Sequence, residues 1–494
     1  MNKIKLSVTT LLLAVAGTAF AGGILTNTNQ SVLFLKNPAR GAAIGLDGVY
    51  SNPAGVVFMP EGFHLAINWQ YAHQTRTITS TNPLFLLGKK NSNAVKTFEG
   101  IADAPFIPSI QAAMNKGNWS LQLNFSMPGG GGVCEFGNGL GSFESAVGMI
   151  AKQLEPLGAR GYDVDAYMRG RQYYFGLQVG AAYKVTPNLS VYGGLRALYG
   201  DASYKARLSN IQVKTESGTY VDFASFLNNA TENLNKQVWQ TELAIANGLI
   251  TPEQAAQGLE RAHHALTQLE TLQKYSQGVN LMSIQTGFGI APIIGVDWKV
   301  GDFNFAAKYE FNTQMKMKNH STLEKVTEIE AMNKFQDGTE VDEDAPALLT
   351  VGAQWTVTQG VNLNLGYHHY FDTDAHWYEH SEKKLGGGTN EYLAGVEWDI
   401  NDKVNVSAGC QLTRYQLTDE YMNDMSFVVN SYSYGFGMTY KFNKTVKASV
   451  AYFQTNYENY DRVTKANPET GATILGDSFT RTNRVLGLGV EISI

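Results

Sequence analysis

Cysteine, charge and long apolar runs are all scarce in this chain, and each shortage excludes something. Cys134 and Cys410 are the only cysteines in 494 residues. That is too few for the disulfide framework that staples small exported folds, so two free thiols are expected. Charged residues make up 17% of the chain, below the ~25% of ordinary soluble domains. The formal net charge of −6 argues against a nucleic-acid partner. Beyond Ala21 no apolar stretch approaches the ~20 residues a membrane-crossing helix needs, which excludes an α-helical membrane protein. No Gly-x-Ser-x-Gly elbow occurs, and Gly137-Asn138-Gly139-Leu140-Gly141 follows no strand of a βαβ unit. Neither a catalytic nucleophile nor a nucleotide cradle is therefore assigned, and the chain is not expected to be an enzyme. Four histidines cluster at His368, His369, His376 and His380. His368 and His369 are neighbours on a strand and must point to opposite faces, so no metal site is expected, nor any cofactor.

Glycine (50), tyrosine (25) and phenylalanine (24) are abundant instead. At the N-terminus Lys3 and Lys5 precede the apolar run Leu11–Ala16 and then Ala19-Phe20-Ala21. A basic start, a short apolar core and a small-x-small site predict a secretory signal peptide over 1–21. After residue 60 the dominant signal is alternation of period two. Tyr173, Phe175, Leu177 and Val179 alternate with Tyr174, Gly176, Gln178 and Gly180; Tyr432, Tyr434 and Phe436 alternate with Ser433, Gly435 and Gly437. One face is greasy and the other small or polar but seldom charged, as for a barrel with lipid outside and a lumen inside.

Such segments number fourteen, the first near 63–75 and the last near 481–493. Tight turns such as Lys116-Gly117, Gly301-Asp302 and Asn401-Asp402 alternate with long loops, the largest near 128–171 and 207–282. The expected fold is all-β: a 14-stranded antiparallel transmembrane β-barrel over 61–494, with helical extracellular loops and both termini on the periplasmic side. Trp119, Trp298, Trp355 and Trp398 lie close to tight turns, where an interfacial aromatic girdle belongs; scattered core positions are the alternative. In the longest loop, Thr251-Pro252-Glu253-Gln254 is a capping sequence and an apolar stripe follows at Ala255, Leu259, Ala262, Leu266 and Leu269. With a helical stretch near 224–248, it predicts a helical hairpin.

Residues 22–60 do not alternate. A fourteen-stranded barrel falls between self-filled eight-stranded barrels and open sixteen-stranded porins, so this segment is expected to plug the lumen as an N-terminal hatch. It carries Asn52-Pro53-Ala54-Gly55 just before the first strand, and Asn37-Pro38-Ala39 further upstream. With Pro346 leading into a mid-barrel strand at Ala345–Gly352, the chain resembles the FadL/TodX family of outer-membrane long-chain fatty acid and hydrocarbon transporters. The resemblance implies a signal peptide, a hatch in which Asn52, Pro53, Ala54 and Gly55 form the gate, a fourteen-stranded barrel, and passive uptake of a hydrophobic small molecule. The chain departs from the family's pattern at Asn37–Gly45, in place of the usual glycine-rich run, and at its terminal Ile494.

Two further sets of residues are candidates. Pro128, Gly129, Gly130 and Gly131 would interrupt strand pairing. They are either the start of a flexible loop or, as the resemblance implies, an opening through which an apolar ligand leaves sideways into the bilayer. Parity places Arg196, Lys308, Glu310 and Glu397 on the lumen face, with Lys308 and Glu310 able to pair. Arg196 and Lys308 are candidates for holding a ligand carboxylate, or else they only balance lumen charge. The expected partners are the ligand and the lipid and lipopolysaccharide of a bacterial outer membrane, and the expected state is a monomer. The alternative function is a general porin or a surface-exposed structural barrel.

Overall fold

A computed structural model describes residues 31–274, 276–324, 335–468 and 470–494; the expected signal peptide lies outside them. Fourteen antiparallel strands close into a barrel. In chain order they are β1 (Gly62–Thr81), β2 (Val95–Lys116), β3 (Trp119–Phe136), β4 (Gly161–Thr186), β5 (Leu189–Lys214), β6 (Val279–Val300), β7 (Phe303–Glu310) and β8 (Leu348–Thr358). They continue with β9 (Val361–Tyr370), β10 (Gly387–Asp399), β11 (Val404–Gln416), β12 (Ser431–Lys441), β13 (Val446–Tyr457) and β14 (Thr473–Ser493). β1 and β14 pair from His64↔Ser493 to Thr81↔Gly476, which closes the cylinder and leaves no sheet edge for lipid to meet. Four shorter strands (Tyr220–Asp222, Lys316–Glu324, Glu340–Asp342 and Tyr460–Ala466) extend the sheet on the side of the long loops.

The alternation read from the sequence sets the two faces. Leu177, Val179, Tyr432, Tyr434 and Leu488 are exposed on the outside, while Gln178, Gly435 and Glu491 are buried on the inside. Such a ring of exposed apolar side chains has lipid as its natural solvent, so this is a membrane barrel. Near the tight turns the outer surface becomes aromatic. Trp119 packs on Tyr183 at 4.7 Å, and Trp355 stacks on Phe303 at 5.8 Å with 12° between the planes. All four girdle tryptophans point outward.

The strands are longer than the apolar alternation suggested, because their upper halves leave the bilayer and carry polar residues on both faces. β2, for example, runs for 22 residues from Val95 to Lys116. The seventh strand is broken: after Glu310 the chain bends, and Lys316–Glu324 pairs with β6 again one register step later, from Lys318↔Thr286 upward. Helices α1 (Val32–Lys36) and α2 (Gly48–Ser51) lie ahead of the first strand, and the long loops carry α3 (Gly141–Gln153), α4 (Phe223–Ala246) and α5 (Pro252–Gln273). α5 starts with the predicted capping box: Thr251 Oγ1 accepts from Gln254 N at 3.3 Å, and Gln254 Oε1 accepts from Thr251 N at 2.9 Å. The His368 and His369 side chains do diverge. His368 meets Glu391 inside at 2.9 Å, and His369 stands edge-on to Phe371 at 4.6 Å. Cys134 and Cys410 are both free thiols, one buried and one exposed.

Candidate functional site

Residues 31–60 run through the lumen and are held there in two different ways. The upstream half lies in a track of small residues. α1 (Val32–Lys36) rests against β12–β14, where a Cβ on Gly435 would collide with the Leu35 carbonyl and one on Gly487 with the Leu35 side chain. Gly395 and Gly409 make room for Asn37 and Pro38, and Gly352 for Gly41 and Ala42. Side chains here would fill the space the segment occupies, so these wall positions and the segment fit each other.

The downstream half is held by side-chain hydrogen bonds from the wall to its backbone. Asn304 Nδ2 donates to Ala42 O at 2.7 Å, Gln178 Nε2 to Val49 O at 2.8 Å, and Asn115 Nδ2 to Val56 O at 2.8 Å. Around Asn52-Pro53-Ala54-Gly55, Gln122 Nε2 donates to Pro53 O at 2.8 Å and Ser190 Oγ to Ala54 O at 2.7 Å. Asn52 Oδ1 accepts from Gly55 N at 3.2 Å, while its Nδ2 donates to Asp297 on β6 at 2.6 Å. The upstream copy of the motif repeats this arrangement. Asn37 Oδ1 accepts from Ala39 N at 3.1 Å, and its Nδ2 donates to Glu397 on β10 at 3.4 Å. Each Asn-Pro-Ala thus forms a turn locked by its own asparagine and faces a wall carboxylate. Nothing local in the sequence names Asp297 as a partner of Asn52, or Asn304 as the donor to Ala42 O and Asp297.

The charges assigned to the lumen are indeed inside, but they are occupied. Lys308 Nζ lies 2.5 Å from Glu310 and donates to Tyr50 O at 2.8 Å. Arg196 binds the same carboxylate, with Nη2 at 3.3 Å from Oε1, and donates to Gln178 Oε1 at 2.7 Å. Both cations also lie over the Tyr50 ring, each 4.7 Å from its centroid. Arg40 of the segment pairs with Asp47 at 2.7 Å and with Glu397. Arg196, Lys308 and Glu310 therefore seat the segment in this structure.

The run at Pro128–Gly132 stands at a break in the wall. β2 and β3 pair up to Ile110↔Phe125 and again from Asp103↔Val133, but not between. Against β4, the strand gains one extra residue between Ser126 and Gly129 and another between Gly130 and Gly132. Gly130 and Gly132 adopt φ of +111° and +70°, conformations that favour glycine. Pro128 is buried and points into the lumen over Gly176. β2 contributes its own bulge, since Gln70↔Ile107 is followed by Ala72↔Ala104 and Phe106 is pushed outward to 66% exposure. Sequence reading missed this second bulge, although the signal was present: the inward parity of β2 switches from Ala102 to Ser109, Gln111 and Ala113. Behind the break, Leu33 and Phe34 of α1 pack with Ala104 and Ile107 on a buried cluster that includes Val32, Leu35, Phe453 and Val485.

At the other end the mouth is filled by one apolar core, built from α3, the 417–430 loop and the upper lumen wall, with Phe143, Phe427 and Phe479 among its members. A groove of about 460 Å³ lies between α3 and that loop, with Met149, Asp424 and Met425 in its lining. Below Met425 and Leu140 is a smaller cavity of about 20 Å³ that reaches Gly132, the last residue of the break.

A hydrogen-bonded N-terminal segment, a wall interrupted at the third strand and an apolar mouth together define the architecture. The fold is that of the FadL-type barrels. A FadL homologue of Pseudomonas aeruginosa superimposes with a TM-score of 0.61 at 11% identity, over 94% of this chain and 98% of that one. The toluene transporter TbuX of Ralstonia pickettii gives 0.52 at 13% identity, over 94% and 98%. The toluene transporter TodX of Pseudomonas putida gives 0.53 at 12% identity, over 91% and 94%. At these identities the likeness is one of fold. No family model and no curated relative matches the sequence.

Proposed function

We propose that this protein carries hydrophobic small molecules of the fatty acid or hydrocarbon class across the outer membrane by passive diffusion, with residues 22–60 as a hatch and the break at β3 as a sideways exit. The observation that carries the reading is the coincidence of the wall break with an apolar hatch helix behind it and a small cavity at Gly132, lined by Phe136, Leu140, Met168 and Met425 together with Arg76, Arg171 and Gln172. In hydrocarbon each unpaired backbone group costs several kcal/mol, so a gap in the ladder persists only where protein or a ligand covers it. Here Leu33 and Phe34 stand behind the gap. The ligand would enter the groove beside α3, pass Met425 and Leu140, and leave past Pro128, Gly129, Gly130 and Gly131 as α1 shifts. Asn52, Pro53, Ala54 and Gly55 are the fixed pivot of that movement. No energy source is required, and the protein acts as a monomer. A general porin would need an open aqueous channel; the apolar core across the mouth favours the transporter instead.

Register gives the test. Removing Phe106 from β2 and Pro128 and Gly131 from β3 brings the ladders of β1, β2, β3 and β4 into continuous step. The triple deletion should fold into a barrel that resists heat in detergent while uptake of toluene or a long-chain fatty acid by cells falls about tenfold or more. Unchanged uptake through such a regularised wall would place the exit elsewhere.

A further inference from the structure

Above its apolar band the outer face of β4 and β5 turns basic. From Tyr183 at the tight-turn girdle, Tyr173 is ten residues further from the turn along β4. At the usual strand tilt that distance spans about 25 Å of membrane, the height of an apolar band. Tyr173, Phe175, Tyr199 and Phe288 stand there side by side as an upper aromatic belt. Directly above the belt, on the same outward parity, come Arg171, Arg169, Lys205 and Arg207, with Arg169 and Lys205 as cross-strand partners. Side chains so placed start about 5 Å apart, and like charges there weaken the pairing. Arg171 meets Asp201, and Arg207 lies over the Tyr167 ring at 5.8 Å. Glu135, opposite Arg169 on β3, also engages Tyr167. Asp163 and Asp165, higher on β4, are matched by Lys89 and Lys90. The patch therefore sets four cations against two acids, Glu135 and Asp201. Farther round the rim, Lys316 and Lys318 stand opposite Asp342 and Glu340, and Arg414 meets Glu458 at 3.0 Å. Beside the patch on β6 the outward residues stay apolar above the belt. Met282 is the cross-strand partner of Lys205, and both Met282 and Ile284 are exposed. Excess positive charge next to bare apolar side chains suits neither water nor hydrocarbon, but it matches a lipid with phosphates on its head.

We propose that this patch is a binding site for the phosphorylated glycolipid of the outer leaflet, lipopolysaccharide. Its phosphates sit on Arg169, Lys205 and Arg207, and one acyl chain runs down Met282, Ile284 and Phe288. Guanidinium forks pair with phosphate oxygens, and the arrival of phosphate relieves the repulsion between Arg169 and Lys205. The excess of cations calls for more negative charge than the single phosphodiester of a glycerophospholipid brings, whereas a glycolipid head with two phosphate monoesters supplies it. The patch lies at the long-loop end of the barrel, which the transport reading places outside the cell. The inference rests on that reading for its orientation, and it adds a lipid that holds the rim, distinct from any cargo in the lumen.

Purified full-length protein in detergent, titrated with diphosphoryl lipid A, monophosphoryl lipid A and phosphatidylglycerol, tests it. Lipid A with both phosphates should bind at least about tenfold more tightly than either of the others. Lys205→Gln combined with Arg207→Gln should remove about tenfold or more of that affinity. Lys403→Gln combined with Lys444→Gln makes the same charge change in tight turns on the opposite rim. That pair should leave the affinity within about twofold, because it lies well beyond the reach of screened charge. Retained heat resistance identifies folded variants. If the first pair fails to fold, Arg207→Gln alone, at an exposed side chain, carries the comparison with a loss of about threefold. Equal binding of phosphatidylglycerol would make the patch a general anionic surface and overturn the assignment. Equal losses from the two pairs of substitutions, or no binding of lipid A, would overturn it as well. None of these outcomes touches the transport reading, which is decided by uptake.

Discussion

At Gly435 the lumen wall meets the carbonyl of Leu35 so closely that even a methyl group has no place. Gly193 sits on the outside of β5 with open space around it. The two residues are indistinguishable by composition, and only parity separates them in the sequence. Parity tells that Gly435 faces inward; it does not tell that the backbone of Leu35 lies there, because that contact joins residues 35 and 435. The difference can be measured. Gly435→Ala should overpack the track, cost about 1–3 kcal/mol and push α1 away from the wall. A cysteine placed at Leu35, with Cys134 and Cys410 changed to serine, should then react with a thiol reagent several times faster. Gly193→Ala should leave both stability and reactivity as they were. Equal behaviour of the two substitutions would mean that the segment does not depend on the track.

Among the elements, those that bury one face on a regular period were legible, and those that end or break for reasons of long-range fit were not. β4 and β12 follow from alternation, and α5 from its capping box and stripe. The break after Glu310 carries no turn signature, since 311–315 contains neither Gly nor Pro, and only the return of Lys316–Glu324 to β6 reveals it. Alternation suggests strands over 404–420 and 427–441, but β11 ends at Gln416 and β12 begins at Ser431, and in the loop between them Met422, Phe427 and Val429 are buried in the mouth. The loop is fastened at Asp424, whose Oδ2 accepts from Ser142 N, near the start of α3, at 2.8 Å. Burial raises the Asp424 carboxyl from 3.8 to about 6; Asp477 adds to the rise, while hydrogen bonds from Ser142 and the charge of Arg462 oppose it. The sign follows from proton binding. The seated loop holds the proton more tightly than the released one, so seating is strongest below about pH 4 and weakens as pH rises through about 6. Proteolysis of the loop should therefore be slowest in acid and accelerate across that window. Asp424→Asn should flatten the profile; a profile of unchanged slope in that variant would remove Asp424 as its cause.

The lumen is filled twice, by residues 31–60 below and by the apolar core of the loops above, and the two fillings have different chemistry. The lower one is polar: Asp297, Glu310 and Glu397 of the wall meet Asn52, Tyr50 and Arg40, directly or through Lys308. The upper one is made of side chains such as Phe143, Phe427 and Phe479, which exclude hydrated ions but can part for a hydrocarbon tail. A sequence shows that residues 22–60 must go somewhere, but the mouth core is assembled from several loops, none of which is apolar enough alone to announce it. The consequence for conduction is specific. Deleting residues 22–50 opens one end only, so single-channel conductance in planar bilayers should remain low, while thermal stability falls because Glu397 and Asp297 lose their partners in the lumen. Shortening the 417–430 loop alone should likewise leave the pore shut to ions. Both changes together should give large, steady, porin-like currents, because the remaining lumen face is polar and continuous from end to end. Large currents from the hatch deletion by itself would show that the loop core is no barrier, and the groove beside α3 would then be an open vestibule to water as well as to ligand.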